Sequence, residues 1–147
     1  MNYQILFKEL QTRKIRIALT GAKGGFGRSL LAQCRAIGSI VVTALCDLDA
    51  DGTRTMLASL GFAAEASRVC ENESEVRQAS QDGKTAIVRD HALLPAVPFD
   101  ILVEATGQPE ISVQIATHAI RRGVHVAMIS KETDSVAGPW LSRLAAA

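Results

Sequence analysis

The sequence predicts an α/β fold in which helices cover both faces of a doubly wound, mainly parallel sheet. Three features of the 147 residues carry that expectation. Apolar, β-branched runs alternate with amphipathic stretches of helical period, a glycine cluster separates the first run from the first such stretch, and an aspartate ends the second run.

Tyr3, Leu6, Phe7 and Leu10 share one face of a short amphipathic helix over residues 1–13. Residues 14–20 emerge from a charged surface into Ile-Ala-Leu, as a first buried parallel strand does. A helix over residues 26–37 follows, with Phe26, Leu30, Leu31, Cys34 and Ile37 on one stripe and Gly38 closing it. Residues 40–46 form a second strand covered on both faces. Asp49 caps a helix over residues 51–60, which stops at Gly61.

The region from 61 to 84 carries little signal beyond a capped helix over 74–81 and a turn at Asp82-Gly83. Residues 85–89 read as a third strand, 91–98 as a connector or helical turn, and 99–105 as a fourth strand. Pro109 suits the first turn of a helix running to 122 with Ile111, Ile115, Ala119 and Ile120 as its stripe. A fifth strand over 124–129 ends in a loop over 130–134, and Gly138-Pro139 opens a last helix with Trp140, Leu141 and Leu144.

Composition narrows the function classes. A formal net charge of +1 leaves no basic surplus for nucleic acid. Cys34, Cys46 and Cys70 form neither a C-x-x-C pair nor a Cys/His cluster, so they read as reduced, packed thiols rather than disulfides or metal ligands. No apolar run is long enough to span a bilayer and no signal peptide is evident, so a cytoplasmic location without membrane association is expected.

The glycine loop carries the chemistry. Gly21, Gly24 and Gly27 follow a G-x-x-G-x-x-G pattern between strand and helix, one residue longer than the commoner G-x-G-x-x-G. Asp47 lies 20 residues beyond Gly27, at the end of the second strand. This arrangement is that of a Rossmann-type dinucleotide pocket: Gly21, Ala22, Gly24, Gly25, Phe26 and Gly27 line the pyrophosphate and Asp47 accepts the ribose hydroxyls. The overlapping AKGGFGRS fails as a nucleotide triphosphate loop, with Ala22 in place of its first glycine and Arg28 in place of its lysine. The carboxylate at Asp47 favours NAD over NADP, although Arg54 is placed to reach a 2′-phosphate.

Two more loops share the C-terminal edge of the sheet. Ala105, Thr106 and Gly107 would flank the nicotinamide ribose, or Gly107 and Gln108 would simply cap the next helix. Lys131 would donate to a substrate oxygen or be a solvated surface charge. His91, His118 and His125 read as structural.

RIALTGAKGGFGRSL, VTALCDLD, DILVEATGQPEISVQIATHAIRRGVHVAMISKETD and GPWLSRLA together resemble the dinucleotide-binding domain of homoserine dehydrogenase-like oxidoreductases. Within that group the likeness is greatest to proteins that carry a SAF domain and to deoxyxylulose phosphate reductoisomerase-like enzymes. The resemblance implies that Gly21, Gly24 and Gly27 bind pyrophosphate, that Asp47 binds ribose, and that residues 105–107 flank the nicotinamide. It also sets Lys131 at the position of a lysine that the family places after an asparagine, where Ser130 stands here.

Family members continue into a substrate and oligomerisation domain. Residues 14–137 are therefore expected to be the dinucleotide domain and 138–147 the start of a helix leading to a second domain. The expected function is dinucleotide binding within an oxidoreductase that moves hydride to or from a carbonyl or alcohol, with little turnover by this portion alone. A non-catalytic sensor or regulatory module is the alternative, and homo-oligomerisation is left open.

Overall fold

The computed structural model describes residues 14–147. The helix expected over residues 1–13 lies outside them. Six strands form one sheet: β1 Ile15–Thr20, β2 Ile40–Cys46, β3 Ser67–Val69, β4 Thr85–Val88, β5 Ile101–Glu104 and β6 His125–Met128. All neighbours are parallel, in the order β3-β4-β2-β1-β5-β6. The helices are α1 Gly25–Ala36, α2 Ala50–Ser59, α3 Glu73–Gln81, α4 Pro109–Arg121 and α5 Lys131–Ala145, with short 3-10 turns at Ala64–Ala66 and His91–Ala96.

Alternation along the strands divides the core in two. Ala18, Ala44, Cys46, Ala86, Val88 and Leu102 face one layer, where they meet Val76 and Ala79 of α3 and Ile115 and Ala119 of α4. Ile17, Leu19, Leu45, Ile87 and Val103 face the other, against Leu31 and Cys34 of α1 and Met56 and Leu57 of α2. A strand with both faces covered must be apolar at every position, which is why period two is hidden in the central strands. The doubly wound sheet expected from the sequence is therefore the observed architecture.

The pairing of β1 with β2 slips by one residue between Ile17 and Ala18, and Thr43 occupies the slip. Its hydroxyl donates to the Ile17 carbonyl at 3.2 Å, which satisfies an acceptor the ladder leaves over. At the opposite side of β1, Arg16 donates to both oxygens of Asp100, through Nε at 3.2 Å and a terminal nitrogen at 2.7 Å, and clamps β1 to the start of β5.

Several expectations change. A sixth strand, β3, was hidden because Ser67–Val69 offers three residues with an exposed arginine in the middle. Of the stripe assigned to α1, Leu31 and Cys34 are buried as expected, whereas Phe26 and Ile37 are 44% and 41% exposed, and Gly27 completes the buried face. Ile111 is likewise exposed at the head of α4.

The last helix does not open at Gly138-Pro139 but at Lys131, about two turns earlier. Glu132 and Asp134 in its first turn complement the positive helix end, and Pro139 lies inside it at the loss of one N–H donor. The expected loop over 130–134 is thus its first turn.

The central β2 residue Leu45 is fully buried between helices and sheet. Leu45→Ala should lower the unfolding free energy by about 2–5 kcal/mol, read from chemical denaturation followed by circular dichroism.

Candidate functional site

From β1 the chain steps outward through β2 to the edge strand β3, turns back to insert β4 between β2 and β3, and then crosses to place β5 and β6 on the other side of β1. The crevice between β1 and β5 at their C-terminal ends is where such a sheet receives ligands. Four stretches converge there: the glycine loop after β1, Asp47 after β2, residues 105–107 after β5 and Ser130-Lys131 after β6.

Each glycine has its own task. Gly21 has φ of +64°, and a Cβ there would stand 2.3 Å from the Ala105 carbonyl oxygen, so only glycine lets the loops after β1 and β5 touch. At Gly27 a Cβ would stand 2.3 Å from the Ala22 carbonyl oxygen, so this glycine seats α1 on its own loop. A Cβ at Gly25 would meet nothing within 4 Å, which leaves the mouth of α1 open to a ligand. Ala22 is fully buried and supports the loop from the core side, while Phe26 is exposed in the first turn of α1.

The first turn of α1 holds no acidic residue, and Gly24 at its cap offers no side chain to receive its N–H groups. Amides at a helix start have no intrahelical acceptor, so those of Gly25, Phe26 and Gly27 are the natural partners of a pyrophosphate.

Asp47 is tied to this loop. Its two oxygens accept from Lys23 N–H at 2.8 Å and Asp49 N–H at 3.1 Å, which leaves each oxygen with further acceptor capacity. The Lys23 ammonium pairs with Asp49, whose other oxygen caps α2 by accepting from Gly52 N–H at 2.8 Å. The Lys23 ammonium, followed by the Gly52 N–H, holds the Asp49 carboxyl below its ordinary pKa. Leu48 between them is 87% exposed. Arg54 is exposed on α2. Just beneath, burial, with smaller contributions from Asp47 and Asp90, pushes the Cys46 thiol up to about 12, and all three cysteines are free and buried.

The other half of the crevice is organised by a residue that the sequence reading passed over. Glu104, the last residue of β5, is completely buried. Its Oε1 accepts from the Thr106 N–H at 2.8 Å, the Thr106 hydroxyl at 2.6 Å and the Thr20 hydroxyl at 3.4 Å, whereas Oε2 has no donor in hydrogen-bonding geometry. Burial raises this carboxyl's pKa, but the hydroxyls of Ser130, Thr106 and Ser112 and the Thr106 N–H outweigh it, so Glu104 titrates below its ordinary value and is ionised at neutral pH. The available signal was an acid inside the apolar strand Ile-Leu-Val-Glu, but its partners lie far away in sequence.

Ser130 caps α5 by position yet spends its hydroxyl elsewhere, accepting the Gly107 N–H at 3.0 Å. That bond draws the loops after β5 and β6 together, one residue before the exposed Lys131 that opens α5. The structure thus gathers all the sequence-derived candidates at one sheet edge, with Ala22 behind the surface.

No protein-family model and no curated protein matches the chain. Among solved structures it is similar to a dehydrogenase from Chromobacterium violaceum, with a TM-score of 0.52 and 22% identity over 79% of this chain and 28% of that one. It is also similar to a myo-inositol dehydrogenase from Corynebacterium glutamicum, with a TM-score of 0.59 and 17% identity over 89% of this chain and 34% of that one. The chain therefore matches about a third or less of each neighbour's length. Among the described residues no helix is long and apolar enough to cross a membrane.

Two variants test this geometry. Gly21→Ala should destabilise the fold by about 1–3 kcal/mol in denaturant titrations, because it forces both a left-handed backbone and a carbonyl contact on a side chain. For Glu104, whose folded pKa is depressed, the stabilisation is present above its ordinary value of 4.5 and is lost as pH falls through the folded value. Thermal melts of Glu104→Gln from about pH 6 to about pH 3 should accordingly decline less steeply than those of the native chain. Together with the two dehydrogenase structures, the β1/β5 crevice and its glycine loop establish the architecture as a Rossmann-type α/β domain.

Proposed function

We propose that the chain is the NAD(P)-binding domain of a homoserine dehydrogenase-like oxidoreductase, with NAD favoured over NADP. The observation that carries this reading is the open mouth of α1 at Gly25, lined by unengaged amides, with the Asp47 carboxylate bonded to the same loop. Both structural neighbours are dehydrogenases, which supports the choice of a nicotinamide cofactor over another nucleotide.

In this reading the amides of Gly25, Phe26 and Gly27 receive the pyrophosphate, and Gly21 and Gly24 shape the turn that presents them. Asp47 accepts from the adenosine ribose hydroxyls through the lone pairs that Lys23 and Asp49 leave over. Its charge repels a 2′-phosphate, and the nearby Lys23 ammonium is already engaged by Asp49. Residues 105–107 lie along the nicotinamide ribose. When bound, the nicotinamide supplies a hydride donor or acceptor at C4 for a carbonyl or alcohol substrate. Lys131 is assigned to the reacting substrate oxygen: its ammonium donates to a carbonyl oxygen and gives up its proton there as hydride arrives, and its neutral amine takes that proton back in the alcohol direction. Because the part matched is only 28% and 34% of the two neighbours, most substrate contacts are assigned to regions outside this fold, and turnover by the chain alone is expected to be slight.

Titration with NADH and NADPH, followed by nicotinamide fluorescence, should give saturable binding that is tighter for NADH. Asp47→Ala should weaken NADH about tenfold and narrow its advantage over NADPH. Gly25→Ala should leave the melting temperature nearly unchanged while reducing affinity for both, since its methyl enters the space left for phosphate. Absence of saturable binding by the native chain would overturn the reading.

A further inference from the structure

The loop after β5 is held in an unusual way. Three consecutive backbone N–H groups are each taken by a side chain from a different place: Ala105 by the Thr20 hydroxyl at 3.3 Å, Thr106 by Glu104 at 2.8 Å and Gly107 by the Ser130 hydroxyl at 3.0 Å. These acceptors sit at the ends of β1 and β5 and after β6, so one loop is fixed from three strands. Glu104 is the hub, because its Oε1 also holds the Thr20 and Thr106 hydroxyls, and Thr106 in turn lies 3.1 Å from the Ser112 hydroxyl of α4.

This pattern has a chemical consequence. With its N–H groups engaged by protein, the loop has no backbone donor left for an anion. Among the described residues the carbonyl oxygens of Thr106 and Gly107 accept no backbone hydrogen bond. The loop therefore offers acceptors, whereas the mouth of α1 offers donors. Such a division suits a ligand with an anionic middle and a hydrogen-bond-donating end.

We propose that Glu104 is a positioning residue that holds residues 105–107 in this acceptor-presenting state and thereby orders the ribose hydroxyls and carboxamide of the nicotinamide end. The assignment rests on the dinucleotide reading above. It asks for an acceptor at Oε1 more than for a charge.

Calorimetric titration of the 147-residue chain with NADH and with ADP, which ends at the pyrophosphate and lacks both the nicotinamide and its ribose, separates the two halves of the site. Glu104→Ala should weaken NADH about tenfold and ADP by less than about twofold, and Glu104→Gln, which keeps an acceptor oxygen, should recover NADH to within about threefold of the native chain. Should Glu104→Ala fail to fold, Ser112→Ala provides the second measurement. It removes a hydroxyl that faces the same carboxylate from behind the loop, and it should lower NADH affinity selectively to a smaller extent. An equal fall for both ligands, or no change for NADH, overturns the positioning role while leaving the dinucleotide site in place. Failure of the native chain to bind either ligand overturns both.

Discussion

The structure depends on the close approach of the loops after β1 and β5, where Gly21 meets the Ala105 carbonyl with no room for a side chain. These loops leave the sheet at the strands where its winding reverses, and their contact decides how wide the crevice between them is. At the other end of the same strands, Arg16 and Asp100 set the spacing with a forked ion pair. The partly exposed pair contributes little energy but fixes register, while the glycine contact tolerates no variation in side-chain size. The crevice is thus bounded at one end by charge and at the other by the absence of an atom.

Around that contact the two halves of the site are built on opposite hydrogen-bonding logic. On the α1 side the amides at the helix start are left unengaged, and Asp47 holds the loop through the Lys23 amide. On the β5 side the donors are consumed by Thr20, Glu104 and Ser130. The helix dipole and open space at Gly25 favour negative charge in the first half, and the buried carboxylate disfavours it in the second. A single ligand oriented across the crevice would be read in only one direction.

What was legible in the sequence was local. Gly21, Gly27 and Asp47 could be placed because strand, tight turn, helix and strand follow within one short stretch, and Asp49 could be assigned as a cap because capping acts over three residues. What escaped was set by distance or by competition. Thr20 and Glu104 are 84 residues apart in sequence, so nothing in the acid's neighbours announces its hydroxyl shell. Ser130 and Pro139 misled for a different reason: a proline favoured at a helix start was taken as one, although the real start has a serine whose hydroxyl serves another loop. Ser67–Val69 was too short to carry a pattern, and it becomes a strand only because Thr85–Val88 presents it with an edge to pair with. Phe26 and Ile37 fit the helical period of α1 yet lie outside its buried face, since periodicity names a stripe without fixing its width.

Cys46 immediately precedes Asp47, so a sulfur lies beneath that carboxylate. Its thiol is nine-tenths or more covered, points to the core layer and is held far from ionisation at neutral pH. The thiolate is the form that reacts with peroxides, disulfides and alkylating reagents, and here its population is negligible. Burial and the raised thiol pKa together disfavour attack on this sulfur by oxidants and thiol-directed reagents while β2 stays folded.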